Sequence, residues 1–213
     1  MSTEERRKHL VNLLKREGRI RTAAVEQAFL AVPRESFVPL KLRNLAYHDT
    51  PLSIEGGQTI SAPHMVAIMV EGLDIQTGQT ILEVGAGSGY HAAIVSHLLG
   101  STGHVYTVER LSSLAEMARQ NLKESGIDNV TVEIGDGSKG LPRHAPYDRI
   151  YVTCAAPDIP QPLIDQLKDP GKLMIPVGRG LSELVLLEKR KGGITKRHLG
   201  GCAFVPLIGD HGF

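Results

Sequence analysis

The segment Leu82-Glu-Val-Gly-Ala-Gly-Ser-Gly89 most limits the folds open to this chain of 213 residues. It places glycines at positions 85, 87 and 89 directly behind a short apolar run that begins at Thr80. Glycine lets the backbone turn sharply after a strand and lets a ligand approach the main chain closely. Residues 90–99 then follow a helical pattern. The segment therefore predicts a strand, a ligand-binding turn and a helix.

Strand-like and helical segments alternate along the chain from this point. Strands are predicted at 80–84, 105–109, 130–134, 148–153 and 172–175, with helices at 90–99, 112–125 and 162–167. This alternation is typical of an α/β fold with a mostly parallel, doubly wound sheet and right-handed crossovers. Two further strand patterns at 183–189 and 195–205 flank Gly192-Gly193 and predict a hairpin. We therefore expect an antiparallel C-terminal strand at the edge of the sheet.

The N-terminal part predicts a helical extension to this sheet. Ser2 and Glu5 form a capping-box pattern ahead of a helix that ends near Gly18, and a second helix is predicted at 22–31. Residues 33–58 predict an irregular, packed connection, and 63–73 predict another helix.

Composition excludes several classes of protein. The 24 Lys and Arg residues nearly balance the 23 Asp and Glu residues, so no global charge attracts nucleic acid or anionic lipid. Cys154 and Cys202 lack metal-ligand spacing, and we interpret both as reduced core thiols with no metal site. No apolar run approaches about 18 residues, and no signal peptide pattern opens the chain. We expect a cytoplasmic protein with no membrane or nucleic-acid partner.

Acidic residues follow the strands next to the glycine segment. Glu109 ends the next strand, where a carboxylate can accept both ribose hydroxyls, and Asp136 lies between two glycines where it can accept an adenine amine. A dinucleotide fingerprint would need a third glycine at Tyr90, so the spacing argues against NAD. The alternative is that Glu109 and Asp136 are helix caps or solvated residues. The predicted cofactor-binding residues here are Glu83, Gly85, Ala86, Gly87, Gly89, Glu109, Asp136 and Gly137.

These features resemble Rossmann-like class I S-adenosylmethionine-dependent methyltransferases. Motifs spread over nearly the whole chain narrow the resemblance to the protein-L-isoaspartate O-methyltransferase family. The segment Gly56-Gly-Gln-Thr-Ile-Ser-Ala-Pro-His-Met65 and the later Val205-Pro-Leu207 are the most specific of them. The others are VPRESFVP (32–39), YHDTPLSI (47–54), LEVGAGSGY (82–90), GDGSKGLPRHAPYDRI (135–150), AAP (155–157), LIDQLK (163–168), IPVG (175–178) and FVPLIG (204–209).

The resemblance implies an activity and a set of roles. The family methylates the free α-carboxyl group of L-isoaspartyl residues, and of D-aspartyl residues in some cases, in damaged proteins and peptides. The ester then closes to a succinimide, which begins repair. By resemblance, Ser61 is the catalytic hydroxyl, Gln58, Thr59 and Ile60 bind the cofactor, and Ser61, His64, Val205, Pro206 and Leu207 bind the substrate. We expect one methyltransferase domain, acting as a monomer, with an extension at 1–77, a cofactor core at 78–190 and a substrate-binding tail at 191–213.

Several alternatives stay open from the sequence alone. Ser61 is also a candidate N-cap for the helix that follows it. Arg34 fits an ion pair better than a substrate contact, and His64 fits a packed helix position as well as a site. The chain has Leu167-Lys-Asp-Pro-Gly171 where the family often has Leu-Lys-Pro-Gly-Gly, which predicts a changed turn. The residues of the tail 208–213 that would cover the cofactor are not assigned.

Other functions fit less of the sequence. A methyltransferase acting on a small molecule or RNA would keep the cofactor, but no basic and aromatic cluster typical of an RNA surface is present. An NAD-dependent oxidoreductase fails on glycine spacing. A binding module without activity would not require Ser61, Glu109 and Asp136 together.

Overall fold

The computed structural model describes all 213 residues, and its centre is a seven-stranded sheet with strand order β5-β4-β3-β6-β7-β8-β9. A small separate ladder pairs two short strands ahead of it. The strands are β1 (Leu52–Ser53), β2 (Thr59–Ile60), β3 (Thr80–Val84), β4 (His104–Glu109), β5 (Val130–Ile134), β6 (Tyr147–Val152), β7 (Leu167–Val177), β8 (Ser182–Arg190) and β9 (Gly193–Cys202).

The five strands β3 to β7 are mutually parallel where they pair, which confirms the predicted α/β class. The predicted hairpin is also present, because β7 pairs antiparallel with β8 and β8 pairs antiparallel with β9. The strand that runs against all the others is therefore β8, and the C-terminal strand β9 forms the outer edge beside it.

Helices begin and end close to the predicted positions. Ser2 and Glu5 form the capping box reciprocally at the start of the first helix. Thr22 is the N-cap of the second helix, so that helix begins one residue later than predicted. The helices are α1 (Thr3–Arg16), α2 (Ala23–Ala31), α3 (Pro63–Leu73), α4 (Tyr90–Leu99), α5 (Ser112–Glu124) and α6 (Gln161–Asp165). None of the helices has both the length and the apolar character needed to cross a bilayer.

Two regions differ from the sequence-based expectation. Residues 33–58 contain the 3₁₀ segments Arg34–Phe37 and Leu40–Leu45 and the strand β1, so they are more regular than predicted. Strand β7 begins at Leu167 rather than at Lys172. Its pairing with β6 jumps from Leu167 to Lys172, so the predicted turn at Lys168–Gly171 is a bulge within the strand.

The core lies on both faces of the sheet. Residues such as Ile81 and Val105 face the cluster that holds the buried sides of α1 to α5. Leu82 and Val108 point to the opposite face of the sheet, where they belong to a smaller cluster that includes Leu163 of α6. Because successive strand residues point to opposite faces, the nearly continuous apolar strands β3 and β4 supply both clusters. Packing on both sides fixes where these strands end, and the candidate site lies at those ends.

Candidate active site

A cleft opens at the carboxyl ends of β3, β4 and β6. This is the edge of an open α/β sheet where ligands bind. Most of the predicted site residues lie on its wall. They are Gln58, Thr59, Ile60, Ser61, Glu83, Gly85, Ala86, Gly87, Glu109, Gly137, Val205, Pro206 and Leu207. Gly89, Asp136 and His64 do not line it.

The glycine segment turns sharply between β3 and α4, as predicted. Gly85 and Gly87 have φ values of +95° and +53°, a region that other residues rarely adopt. A side chain at Gly85 would collide with the hydroxyl of Thr153, which donates to the carbonyl of Gly85 at 2.7 Å. Gly89, with φ of +87°, is the N-cap of α4 and lies behind the wall. Its positive φ lets the chain enter the helix, and the predicted cofactor contact of Gly89 stays a prediction that the cleft lining does not support.

Glu109 is fixed at the end of β4. One carboxylate oxygen accepts the N–H of Gly87 at 3.1 Å, and the other accepts the N–H of Leu111 at 3.0 Å. The residue is only 8% exposed, so it is not a solvated surface group. Each carboxylate oxygen can accept a further bond, because it carries two lone pairs. The carboxylate is thus held rigidly against the glycine segment with capacity left for ligand hydroxyls.

Glu83 lies beneath the same segment without exposure to solvent. Neither of its carboxyl oxygens has a hydrogen-bond partner. Burial raises the pKa of Glu83 to about 8, the nearby hydroxyls of Thr107 and Tyr151 oppose that rise, and the charge of Glu109 adds to it. The ring of His91 lies against that of Tyr151, with centroids 4.3 Å apart and planes tilted by 35°, and burial lowers the pKa of His91 to about 3. At neutral pH the Glu83 carboxyl group is therefore mostly protonated and uncharged in the folded chain.

The structure contradicts the helix-cap interpretation of Ser61. The N-cap of α3 is Ala62, which has no side-chain acceptor. The acceptor comes instead from Asp49, whose carboxylate accepts the N–H of His64 at 2.8 Å. Ser61 lines the cleft, and its hydroxyl makes no hydrogen bond within the chain. It is therefore available to a ligand.

His64 and Arg34 lie away from the cleft. The ring Nδ1 of His64 is 3.0 Å from the carboxylate of Asp49 and the residue does not line the cleft, so its predicted substrate contact stays a prediction. Arg34 is fully buried and forms no ion pair, contrary to expectation. Its guanidinium donates to main-chain carbonyls, including those of Ala46 and Ser61.

Asp136 joins β5 to the C-terminal tail instead of facing the cleft. One oxygen accepts the N–H and the hydroxyl of Ser138, at 2.9 and 2.6 Å, and the other accepts the N–H of Asp210 at 2.9 Å. Burial alone would raise the pKa of Asp136, but these bonds outweigh it and lower the pKa. Asp136 is the N-cap of the 3₁₀ segment Gly137–Lys139, as in the helix-cap alternative, and its predicted adenine contact stays a prediction, since Asp136 does not line the cleft. The adjacent Gly137 lines the cleft, where a side chain would collide with Val84.

The segment Val205–Leu207 runs parallel to the chain just beyond the end of β6 and pairs with Ala155. The carbonyl of Val205 accepts the N–H of Ala155 at 2.8 Å, and the N–H of Leu207 donates to the carbonyl of Ala155 at 2.7 Å. Because neighbouring residues of an extended chain direct their backbone groups to opposite sides, the carbonyl of Pro206 faces away from Ala155. One edge of this segment is paired and the other is open at the cleft.

Some wall residues were not predicted from the sequence. Arg110 and Thr153 directly follow β4 and β6, so the rule that ligands bind at strand ends would have found them. Val66 and His91 reach the wall from the first turns of α3 and α4, and no sequence signal marks them. Further unpredicted wall residues are Val84, Ser88, Tyr90, Val108, Leu111, Cys154 and Ile208.

The wall fits S-adenosylmethionine in the chemistry of its groups. The rigid carboxylate of Glu109 suits ribose hydroxyls, because each of its oxygens keeps a free lone pair beside the glycine segment. The absence of a side chain at Gly85 leaves the main chain open to close approach. Cys154 also lines the cleft, but burial raises the pKa of its thiol well above the usual range, so it is not a thiolate nucleophile.

Comparisons with known sequences agree with this chemistry. Residues 5–212 match the model of the family described as protein-L-isoaspartate(D-aspartate) O-methyltransferase (PCMT). A protein-L-isoaspartate O-methyltransferase of Methanopyrus kandleri is 58% identical, over 97% of this chain and 93% of the relative. One from Hyperthermus butylicus is 56% identical, over 98% of this chain and 91% of the relative.

Solved structures show the same architecture. A protein-L-isoaspartate O-methyltransferase superposes with a TM-score of 0.87 at 31% identity, covering 97% of this chain and 67% of that one. A Plasmodium falciparum protein described as a member of the same family, in complex with S-adenosyl-L-homocysteine, gives 0.85 at 29% identity, covering 94% of this chain and 97% of that one. This chain belongs to the protein-L-isoaspartate(D-aspartate) O-methyltransferase family.

Proposed function

We propose that this protein transfers the methyl group of S-adenosylmethionine to the free α-carboxylate of L-isoaspartyl residues in proteins and peptides, and that the Ser61 hydroxyl aligns that carboxylate. Family membership supports the reaction. The observation that most supports the role of Ser61 is that this residue lines the cleft and its hydroxyl makes no hydrogen bond within the chain, while Asp49 caps the following helix. A cap would have occupied this hydroxyl.

The reaction does not require a strong general acid or general base from the protein. A carboxylate with a pKa near about 4 is already ionised at neutral pH, so it needs no general base. When bound, S-adenosylmethionine supplies an electrophilic methyl group on a sulfonium. The remaining task of the protein is orientation, which can contribute about 7–11 kcal/mol to lowering a barrier. By donating one hydrogen bond to the carboxylate, Ser61 would hold one oxygen and direct the other.

The remaining wall residues divide between the two ligands. For the cofactor we propose the main chain around Gly85 and Gly87, the carboxylate of Glu109, and contacts from Gln58, Thr59 and Ile60. For the substrate we propose the open edge of Val205–Leu207. Main-chain bonds along such an edge carry little side-chain specificity, so one site can accept isoaspartate in many sequence contexts.

We further propose that these roles follow the chain within a single domain. The extension 1–77 carries Ser61, the core 78–190 carries the glycine segment, and the tail 191–213 carries the docking edge. We also place the protein in the cytoplasm as a monomer, with no nucleic-acid partner. Support for the compartment comes from Cys154 and Cys202, which are both buried free thiols. Light scattering across a concentration series tests the monomer.

The decisive experiment uses a pair of peptides that differ only in one linkage. One carries L-isoaspartate and the other carries the normal aspartate, and both are incubated with S-adenosylmethionine labelled in its methyl group. We expect label only in the isoaspartyl peptide, as an ester that alkali releases. Equal labelling of both peptides would reject the proposed substrate, and a third peptide with D-aspartate would define its limits.

A further inference from the structure

Arg34 is the largest fully buried polar side chain of the protein, at 0% exposure. Its guanidinium donates to the carbonyl of Ala46 at 2.6 Å, of Ser61 at 2.9 Å and of Thr50 at 3.3 Å. No carboxylate forms an ion pair with it. A buried charge without a paired carboxylate is costly, because the desolvation of the guanidinium is offset mainly by these bonds to carbonyls. The consequence of this arrangement is that one buried cation connects the three backbone carbonyls.

The carbonyls come from segments that meet behind the cleft. Ala46 and Thr50 flank Asp49, whose carboxylate caps the helix that begins just after Ser61. Arg34 binds the carbonyl of Ser61 itself. The backbone of Ser61 is thus held directly by the guanidinium, while the next turn of chain is held through Asp49.

The same guanidinium also contacts Tyr90, a residue of the cleft wall. Its central carbon lies 5.7 Å from the centre of the Tyr90 ring, within range of a cation–π contact. Tyr90 is the first residue of α4, directly after the glycine segment, and it lines the cleft. Arg34 therefore bridges the segment that carries Ser61 and the segment that turns around the cofactor.

We propose that Arg34 is a positioning residue for methyl transfer, which fixes the backbone of Ser61 relative to Tyr90 so that the Ser61 hydroxyl meets the substrate carboxylate in one direction. This inference rests on the proposed role of Ser61. With its backbone fixed, the serine has only side-chain rotation left. Misplacement of a reacting group by about 1 Å can cost about a hundredfold in rate, so a rigid backbone at this residue matters.

The shape of the guanidinium suits this task better than an ammonium group does. Two terminal nitrogens point to different carbonyls, Nη1 to Ala46 and Nη2 to Ser61 and Thr50. Lysine concentrates its donors on one atom at the end of a flexible stem and cannot reproduce that fork. Arg34→Lys keeps the buried charge but loses some of the hydrogen bonds to the three carbonyls. Arg34→Gln loses the charge and most of these hydrogen bonds.

The test is a double-mutant cycle on the full chain. We measure kcat, KM and S-adenosylhomocysteine affinity for Arg34→Gln and Arg34→Lys, each in the wild-type and in the Ser61→Ala background. We expect Arg34→Gln to lower kcat by about 10- to 100-fold, with cofactor affinity nearly unchanged. We expect Arg34→Lys to recover part of that loss. In the Ser61→Ala background the same changes should lower kcat by less than about threefold, because coupled residues do not add.

Hydrogen exchange supplies a readout that does not depend on activity. The amides of Ile60 and Ser61 should exchange faster in Arg34→Lys than in the wild type, measured by fragment-resolved mass spectrometry. The matched control is Arg149→Gln, because Arg149 donates to the carbonyls of Leu73 and Asp74 at the far end of α3. Arg149→Gln should cost stability without a coupled loss of kcat and without faster exchange at Ser61.

The possible results separate this inference from the proposed function. Equal losses of kcat in both backgrounds, with unchanged exchange at Ser61, would show that Arg34 is only structural and would overturn the inference. If Ser61→Ala leaves kcat unchanged, the proposed role of Ser61 is wrong. If amide exchange in Arg34→Lys is then also unchanged, the positioning role of Arg34 is overturned as well. If Arg34→Gln does not fold, the lysine variant carries the same comparison.

Discussion

The carboxylate of Asp49 accepts the backbone N–H of His64 at 2.8 Å, across 15 residues of sequence. The N-cap residue of α3, Ala62, has no side chain able to do this. A distant loop therefore caps the helix at the cleft, and the nearer hydroxyl of Ser61 is left free. A local sequence pattern suggested the opposite assignment, because a serine just before a helix with proline in its first turn is typical of an N-cap.

Replacing Asp49 by alanine should destabilise the protein by about 0.5–2 kcal/mol, the usual cost of a lost helix cap. Urea unfolding followed by circular dichroism measures this change. Asp49→Asn keeps an acceptor and should lose less. The matched control His64→Ala removes the ring that contacts Asp49 but keeps the capped amide, so it should also cost less than Asp49→Ala. A larger loss in His64→Ala would show that the ring, not the cap, carries the stability.

Ser61→Ala should lower kcat by about 10- to 100-fold while leaving S-adenosylhomocysteine affinity nearly unchanged. The physical reason is that the hydroxyl has no bond within the chain, so its loss removes alignment of the substrate and little else. Initial rates with an isoaspartyl peptide and calorimetric titration measure the two quantities. A loss of cofactor binding, or unfolding, would instead return Ser61 to a structural role.

The parts of the fold that the sequence predicts well are those set by local patterns. The turn at Gly85 and Gly87 follows from glycine spacing behind an apolar strand, and the position of Glu109 follows from the end of the next strand. All three residues line the cleft, as expected. The hairpin of β8 and β9 was also visible as two strand patterns around Gly192-Gly193.

Long-range pairings were not accessible in this way. The N–H of Asp210 reaches Asp136 across 74 residues, and the ion-pair expectation for Arg34 was replaced by carbonyls from three separate places. Backbone carbonyls leave no mark in a sequence, because every residue has one. The order of β8 and β9 beside β7 was likewise hidden, since a hairpin pattern does not say which strand joins the sheet.

Glu109→Gln should weaken S-adenosylhomocysteine binding by about 1.5–3 kcal/mol, or about 10- to 100-fold in Kd, the scale of a hydrogen bond to a charged group. The amide has one acceptor in place of two, so it cannot keep the bonds to Gly87 and Leu111 and also receive ribose hydroxyls. Calorimetric titration measures the Kd. Glu116→Gln on the exposed side of α5 is the control and should bind normally. An unchanged Kd in Glu109→Gln would remove this residue from the cofactor site.

Asp136→Ala should loosen the tail that ends the chain. The N–H of Asp210 loses its acceptor, and the Ser138 hydroxyl that receives the N–H of His211 loses its own partner. Exchange at these amides should rise by about tenfold, the equivalent of one charge-assisted hydrogen bond. The control Asp210→Asn removes only the exposed ion pair with Lys139 and keeps the backbone bond, so it should exchange as the wild type does. Equal exchange in Asp136→Ala and wild type would mean that the tail is held elsewhere.

Glu83 should make the stability of the protein depend on pH in a defined direction. Burial raises the pKa of this carboxyl group from 4.5 to about 8 in the folded state. Between those values the folded protein holds a proton that the unfolded chain has released. The free energy of unfolding should therefore fall as pH rises, with a slope of up to about 1.4 kcal/mol per pH unit from this residue.

Glu83→Gln removes that dependence, because the amide does not titrate and resembles the protonated acid in shape. Subtracting its unfolding free energy from that of the wild type at each pH cancels the contributions of His91 and the other groups that both proteins share. We expect the wild type to lose stability relative to the variant from pH 5 to pH 8 and the difference to level off above about pH 8. Urea unfolding at half-unit steps of pH gives the curve. Parallel curves for the two proteins would mean that Glu83 is ionised in the folded state across this range.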